Sequence, residues 1–248
     1  MSAHIRVDRL LLDRGLAESR SRAQALVAAG KVESAGRVIA KAGEQLPVDA
    51  PLVITGRDHP WVSRGGLKLA HGLEHFGIDP REAVCLDIGA STGGFTDVLL
   101  HQGARRVYAV DVGRDQLAAK LRSDPRVISL EGVNARYLNA GQIGEAVDLL
   151  VCDASFISLT LLLPAGLELV AHGGQLLVLV KPQFELEREA LGKGGVVRDP
   201  ALHQRACARV RDWLSGRPGW EILGLTDSPI TGPNGNREFL LAARKLGP

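Results

Sequence analysis

The sequence predicts an α/β protein, a mostly parallel sheet flanked by helices and preceded by a small α+β module. Three observations predict it. After Pro80, short apolar runs alternate with helical patterns, as consecutive βα units do when they build a parallel sheet covered on both faces. The last two apolar runs are joined by a Gly/Pro/Asn loop with no helix between them, which predicts a final antiparallel pair. The first part of the chain follows another rhythm, two short helical patterns and then short alternating stretches.

Length and composition agree with that division. At roughly 150 residues per domain, 248 residues suit one sizeable core plus a small appended module. Apolar residues make up 45% and charged residues 23%, which excludes disordered, collagen-like and disulfide-framework chains. The longest apolar candidates, 159–163 and 176–180, fall far short of the roughly 18 residues of a spanning helix. Met1 to Arg9 carries charge and no apolar leader core, so a cytoplasmic protein that does not cross a membrane is expected. Cys85, Cys152 and Cys207 share no metal-like spacing, and neither disulfides nor a metal site is expected.

Net charge is only +2, but residues 1–41 hold eight Arg and Lys (Arg6, Arg9, Arg14, Arg20, Arg22, Lys31, Arg37, Lys41) against four acids. Between Arg6 and Ala29 the apolar positions Val7, Leu10, Leu11, Leu16, Ala23, Leu26 and Val27 recur at helical steps, broken at Gly15. This predicts two helices, with Gly15 just past the end of the first, Ser19 or Ser21 capping the second, and Gly30 ending it. Residues 31–38 alternate around an Ala35-Gly36 turn, and 45–54 reads as another short strand pair.

Arg6, Leu10, Gly15, Ser19-Arg20, Ala23, Leu26, Gly30, Val32 and Gly36 together resemble the S4 RNA-binding domain. A run of basic residues alone is usually a solvated face. The resemblance implies instead that Arg6, Arg9, Arg20, Arg22, Lys31 and Arg37 contact RNA phosphates, in a module that reads RNA shape and backbone. The polar break Gly56-Arg57-Asp58-His59-Pro60 ends it. The expected organisation is an S4-like domain over 1–58, a linker over 59–64 and a second domain over 65–248. Leu67, Leu69, Ala70, Leu73 and Phe76 then predict an amphipathic helix over 65–76 with Arg64 and Lys68 at its start; Arg64 joins the RNA-contact candidates.

In the second domain, strands are expected at 84–88, 107–112, 127–130, 147–152 and 175–180, and helices at 95–102, 115–121, 158–171 and 201–214. The last two runs, 220–226 and 237–243, form the antiparallel pair. Leu86-Asp87-Ile88-Gly89-Ala90-Ser91-Thr92-Gly93-Gly94-Phe95-Thr96 passes from strand to helix through a Gly-rich turn that lets backbone approach a ligand. A tight βα turn would use the same glycines. Asp111, 22 residues after Gly89, ends the next strand, where an acid binds the ribose hydroxyls of an adenosine group. NAD and S-adenosylmethionine share that demand. The spacing is not G-x-G-x-x-G, and the charge of Asp87 would oppose a pyrophosphate but suit a sulfonium cation. S-adenosylmethionine is therefore favoured, with Asp87, Gly89, Ala90, Ser91, Thr92, Gly93, Gly94, Phe95 and Asp111 as candidate contacts. Asn134, after the third strand, is a candidate for the adenine edge or a turn former.

Asp153 and Lys181 each follow an apolar strand, and ligands of open α/β sheets bind outside the carboxyl ends of parallel strands. Either residue could instead be a helix cap or a solvated strand end. This chain uses 23 Arg and only 7 Lys, so Lys181 is not the default basic choice; unlike arginine, a buried lysine can lose its proton and act as a base. Lys68 would supply a second cation, and Glu238 on the last strand would balance it.

Lys68, Asp153, Lys181 and Glu238, in this order, resemble the K-D-K-E tetrad of FtsJ-like ribose 2′-O-methyltransferases. With Ser63-Arg64-Gly65-Gly66-Leu67-Lys68-Leu69, Gly89-Ala90-Ser91-Thr92-Gly93-Gly94-Phe95, Asp153-Ala154-Ser155-Phe156, Lys181-Pro182-Gln183-Phe184-Glu185 and the S4-like start, the chain is similar to the TlyA (haemolysin A) family over nearly its whole length. His59-Pro60-Trp61-Val62 stands where that family has Arg-x-Trp-Val. The resemblance implies a Rossmann-like methyltransferase sheet, S-adenosylmethionine as cofactor, and 2′-O-methylation of ribose, cytidine first, in ribosomal RNA or ribosomal subunits. It implies Lys181 as proton acceptor or oxyanion stabiliser, Asp153 as its orienting acid, Lys68 and Glu238 holding the ribose and tuning the lysine pair, and Phe156 either stacking on a flipped nucleotide or filling the core. Three other readings compete. A non-catalytic assembly factor would not need all four charged positions, a membrane-lytic protein would need an insertion segment, and an NAD oxidoreductase would need a hydride-transfer partner, for which no His or Tyr stands out.

Overall fold

A computed structural model describes residues 4–17, 19–56, 59–232 and 235–247. The chain divides into two compact units, Met1–Pro60 and Trp61–Pro248. The expected end of the first domain at Arg57-Asp58 lies outside the described residues.

In the first unit, β1 (His4–Arg6) leads into α1 (Val7–Asp13) and α2 (Arg20–Ala28). Gly15 lies one residue past the C-cap of α1, and Ser19 caps α2 by accepting the Arg22 backbone N–H at 3.2 Å, both as the sequence predicts. Strands β2 (Val32–Ser34) and β3 (Arg37–Val38) form the hairpin around Ala35-Gly36. The expected strand pair over 45–54 does not form. β4 (Gln45–Pro47) pairs antiparallel with β1, and β5 (Val53–Ile54) pairs with β2. Leu46 is buried and sits in register with Ile5, and the Ala50 N–H turns back onto the Pro47 carbonyl, so the chain leaves β4 in a turn. A strand of two or three residues carries too little alternation to reveal its partner. Val7, Leu10, Leu11, Ala23, Leu26, Val27, Val32 and Ile39 fill the core.

The second unit begins with α3 (Gly65–Phe76) and then alternates: β6 (Val84–Ile88), α4 (Gly94–His101), β7 (Arg106–Asp111), α5 (Ala119–Arg122), β8 (Val127–Glu131), α6 (Ala140–Ile143) and β9 (Val147–Cys152). There follow α7 (Leu159–Leu162), α8 (Pro164–Leu169), β10 (Val170–Val180), α9 (Pro182–Glu185), α10 (Pro200–Ser215), β11 (Trp220–Asp227) and β12 (Phe239–Lys245). Seven strands form one sheet in the order β11-β12-β10-β9-β6-β7-β8. β10, β9, β6, β7 and β8 are mutually parallel, and β12 lies antiparallel between β10 and β11. Every residue of β6 is buried, as both-faced burial of a central parallel strand demands. One face packs the core that includes Leu69, Leu73 and Leu99, the other the core that includes Leu163, Leu167 and Val210.

Two predicted helices are corrected. The helix expected over 158–171 is split into α7 and α8, because Pro164 has no N–H to donate and its ring excludes the preceding turn; it opens α8 instead. Residues 170 and 171 belong to β10. The helix expected over 115–121 shrinks to α5, because the Glu131 carboxylate accepts the backbone N–H groups of Asp115, Gln116 and Leu117 at 3.0–3.1 Å and holds that segment out of helical pairing. The three cysteines are buried and free.

Strand order positions the site. From β6 the sheet grows one way through β7 and β8 and the other way through β9 and β10, so the loops leaving β6 and β9 diverge and open a crevice at their carboxyl ends. Cys152 pairs with both Ile88 and Val178, which sets Asp153 at the crevice between its neighbours' ends. Because β12 runs antiparallel with Phe239 opposite Val180, Glu238 arrives beside Lys181 from the opposite chain direction.

Candidate active site

The loop after β6 turns sharply. Gly89 has φ +82°, and a Cβ there would lie 2.9 Å from the Ala154 Cα; Gly93 has φ +95°, and its Cβ would lie 2.2 Å from the Leu121 side chain. Both conformations and both close approaches exclude a side chain. Gly93 is therefore set by packing within the protein, whereas Gly89 and Ser91 line a cavity of about 520 Å³. Asp111, Val112, Gln116, Val133, Asn134, Asp153, Ala154, Ser155 and Phe156 complete much of its wall.

Asp111 is held by two backbone donors, the Ser91 N–H at 2.8 Å on Oδ2 and the Gly113 N–H at 2.7 Å on Oδ1. Each oxygen keeps a further lone pair for a ligand hydroxyl. Asn134 accepts the Arg136 backbone N–H at 3.1 Å, a turn-forming bond, while still lining the cavity. Asp87 is placed differently. It is wholly buried under the loop, accepts the Thr96 hydroxyl at 2.6 Å, and is absent from the cavity wall. Burial, reinforced by the negative charges of Asp153 and Asp111 and opposed by Thr96, pushes its carboxyl up to about 7. Ala90, Thr92, Gly94 and Phe95 support the turn, with Phe95 in the core. Gln116, which accepts the Ser91 hydroxyl at 3.1 Å, had no signal in the sequence, since it lies in an irregular segment.

Beside this cavity four charged side chains from four elements converge. Lys181 Nζ is 2.7 Å from Asp153 Oδ1 and donates to the Asp153 carbonyl at 3.1 Å and the Ser155 hydroxyl at 2.9 Å. Lys68 Nζ is 3.3 Å from Asp153 Oδ2 and 2.7 Å from Glu238 Oε2. Lys68, Lys181 and Glu238 are all buried. Two cations face two carboxylates, so the network is neutral as a whole, the condition under which buried charges are tolerated. Burial works to lower the Lys68 pKa, but the carboxylates of Asp153 and Glu238 outweigh it and the net shift is upward. Lys68 thus stays a cation and leaves Lys181 as the lysine nearest the open cavity walls.

Phe156 is 90% exposed, sits at φ +67°, and lies 5.2 Å from Phe184 between ring centroids. An aromatic ring held in solvent on a backbone conformation that bulky residues avoid is strained, and strain of this kind concentrates at functional sites. Both rings border a second cavity of about 250 Å³ that shares Ser155 and Phe156 with the first and is lined by Lys181, Gln183 and Glu238. Arg64 is the N-cap residue of α3.

In the first unit Arg6, Arg9, Arg20 and Arg37 are anchored by acids. Arg6 and Arg20 both bind the buried Asp8, at 2.9 and 3.0 Å, and Gln24 adds a third donor. The Arg6 hydrogen bond dominates the forces that hold the Asp8 carboxyl far below the usual carboxylate range. Arg9 pairs with Asp13 at 3.6 Å and Arg37 with Glu44. Arg14, by contrast, points its guanidinium at the carbonyls of Ala50 and Val48. Arg22 and Lys31 contribute backbone groups to the α2 cap and to the joint with β5.

Comparison with known proteins places this geometry. The profile of the FtsJ-like methyltransferase family matches residues 61–245, and that of the S4 domain matches residues 5–50. The 16S/23S rRNA (cytidine-2'-O)-methyltransferase TlyA of Mycobacterium tuberculosis is 46% identical over 245 residues, covering 98% of this chain and 91% of that one. Hemolysin A of Brachyspira hyodysenteriae is 40% identical over 242 residues, covering 95% and 98%. A solved structure from Streptococcus thermophilus, under the name hemolysin, superposes with a TM-score of 0.80 at 42% identity, covering 99% of this chain and 90% of that one.

Proposed function

The chain belongs to the FtsJ-like methyltransferase family, with an S4 domain at its N-terminus, and from that premise we propose that it methylates a ribose 2′-hydroxyl, of cytidine, in ribosomal RNA. The observation that carries this reading is the neutral Lys68–Asp153–Lys181–Glu238 network at the edge of the larger cavity.

The larger cavity fits S-adenosylmethionine. Its volume of about 520 Å³ falls within the roughly 300–1,000 Å³ of small-molecule sites. Asp111 would hold the ribose diol through its carboxylate oxygens, Asn134 would meet the adenine edge, and Val112, Val133 and the Gly89 backbone would close the wall around the group. The bound cofactor supplies an electrophilic methyl on a sulfonium.

The chain's own residues act on the acceptor. Lys181, held by Asp153 and Ser155, acts in its amine form, its own proton first lost to solvent: it takes the proton from the 2′-hydroxyl as that oxygen gains the methyl, and the ammonium so formed restores the neutral pairing with Asp153. Asp153 orients Lys181 from one oxygen and Lys68 from the other. Glu238 keeps Lys68 in place and offers its second oxygen to the ribose. Phe156 stacks on the extruded nucleotide. The S4-like domain, over residues 1–58, grips RNA phosphates through Arg6, Arg9, Arg20, Arg22, Lys31 and Arg37, with Arg64 adding a contact from the start of α3. Such a substrate sets the protein to work in the cytoplasm. The relative's name M. tuberculosis TlyA and the cytidine in it support the choice of nucleotide.

Transfer of labelled methyl from S-adenosylmethionine to ribosomal subunits lacking the modification, followed by mapping, tests this. Label on a ribose 2′-oxygen is expected. Label on a base, or none despite cofactor binding, overturns the reading.

A further inference from the structure

The second cavity has features that the cofactor site does not explain. It shares Ser155 and Phe156 with the larger cavity, and Lys181 stands on its wall while Asp153, its ion-pair partner, stands on the wall of the other. The ion pair therefore spans the two cavities, with one member on the wall of each. At about 250 Å³ the second cavity is small, suited to one nucleoside and not to a duplex. Its walls include the rings of Phe156 and Phe184 and the Gly194-Gly195 backbone. Asn236, buried, fastens that backbone: its Oδ1 accepts the Val197 N–H at 3.0 Å and its Nδ2 donates to the Gly195 carbonyl at 3.3 Å.

The polar groups of this lining are mostly engaged. Both arms of Asn236 hold the loop, and the Ser155 hydroxyl accepts from Lys181. Among the described lining residues, Glu238 and Gln183 keep a buried acceptor without a hydrogen-bond partner. Glu238 belongs with the Lys68 ammonium at the Lys181 end, where the ribose reacts. Gln183 Oε1 is different: a neutral amide oxygen, two residues beyond Lys181, desolvated and unpaired. A buried acceptor left so is destabilising, and a ligand donor would recover the loss.

We propose that this cavity holds the base of the accepting nucleotide and that Gln183 is its specificity-determining residue. The inference rests on the 2′-O-methyltransferase reading and deepens it. Gln183 Oε1 accepts from an exocyclic amine while its Nε2 donates to the adjacent ring nitrogen. Cytosine presents that amine-plus-acceptor edge; uracil presents a carbonyl and a ring N–H, which sets acceptor against acceptor with the amide in the orientation it has here, Oε1 inward. Phe156 and Phe184 supply the stacking surface, which any base can use. Discrimination therefore falls to the amide.

The test uses the full chain, two RNAs differing only in cytidine or uridine at the mapped position, and the variants Gln183→Leu and Gln183→Glu. For each protein, kcat and KM on both RNAs, S-adenosylmethionine affinity by calorimetry and the unfolding midpoint are measured. Gln183→Leu is expected to lower kcat/KM on the cytidine RNA by about 10- to 100-fold, the range of one lost recognition contact in a closed site. Activity on the uridine RNA, cofactor affinity and the unfolding midpoint should hold steady, so that the preference for cytidine collapses. Gln183→Glu keeps the acceptor and should retain part of the preference. Equal losses on both RNAs, or an unaltered preference in both variants, overturn the inference while leaving the proposed activity standing. A wild-type protein that methylates neither RNA on ribose overturns the activity itself.

Discussion

Glu185 Oε2 accepts the Ser158 hydroxyl at 2.6 Å while its Oε1 accepts the Leu159 N–H at 2.8 Å. One buried carboxylate thereby ties the segment that follows Lys181 to the start of α7, the end of the loop that carries Asp153, Ser155 and Phe156. The Arg209 guanidinium grips the Glu185 carbonyl at 2.7 Å and fixes the other side of the joint. Lys181 and Asp153 are thus held in register by a residue that touches neither.

Glu185→Ala should leave the Leu159 N–H buried without a partner, costing about 1–3 kcal/mol, while the Ser158 hydroxyl keeps Thr160 Oγ1 at 2.9 Å. Glu185→Gln should be far milder, since its oxygen can accept from Leu159 and its NH₂ can donate to the Ser158 oxygen. Burial already raises the Glu185 pKa against the opposing bonds from Ser158 and Leu159, so a neutral side chain suits the place. Urea unfolding midpoints and methyl-transfer kcat of the two variants check this, and equal damage from both would refute it.

The tetrad makes a separable prediction. Lys181→Ala should abolish methyl transfer while leaving S-adenosylmethionine affinity nearly unchanged, because Lys181 lines the smaller cavity and not the larger. Lys68→Met removes the cation shared by Asp153 and Glu238, and breaking a buried pair on one side costs about 3–5 kcal/mol. Lys68→Met combined with Glu238→Leu should recover much of that stability and none of the activity. Substantial transfer by Lys181→Ala would remove it from the chemistry.

Legibility followed the length over which a pattern acts. The bounds of α3, β6 and β9 match their sequence patterns because each has a full periodic run, and the four tetrad residues come together because strand ends and one helix start are local features. The β1–β4 pairing, the capture of the 115–117 backbone by Glu131 and the Glu185–Ser158 bond were not legible. Each joins residues many positions apart through a single side chain or a three-residue strand, and no periodicity records such a contact. Gln183 and Glu185 stood inside a quoted motif, yet only the partners they have, or lack, distinguish their roles.

Arginines of the first unit that look alike in sequence should behave differently. Arg20 and Arg37 are anchored by Asp8 and Glu44 with much of the side chain exposed. Arg20→Ala and Arg37→Ala should each weaken binding to ribosomal RNA and flatten the slope of log affinity against log salt by about 0.7–0.9 per lost phosphate contact. Arg14→Ala, whose guanidinium braces the Val48 and Ala50 carbonyls, should lower the unfolding midpoint and leave the slope unchanged. Binding titrations across a salt series, paired with thermal unfolding, separate the two classes.

Asp87 predicts a pH dependence whose sign is fixed by its burial. Its carboxyl is pushed up to about 7 in the folded chain, against about 3.9 for an exposed aspartate. Between those values the folded protein holds a proton that the unfolded chain has released, so stability falls as pH rises through this window and is level above it. Asp87→Asn, which still offers Thr96 an acceptor, should remove that fall: its unfolding midpoint should gain on the wild type between pH 4 and 7 and keep a constant lead at higher pH. The same group links to the cofactor. A sulfonium in the neighbouring cavity favours the ionised carboxylate, so wild-type affinity for S-adenosylmethionine should rise as pH rises through about 7, with proton release on binding at pH 6 that fades by pH 8.5. Calorimetry in buffers of different ionisation enthalpy measures that release directly. Asp87→Asn should bind without it, and a proton release that persists unchanged in the variant would assign the linkage to another group.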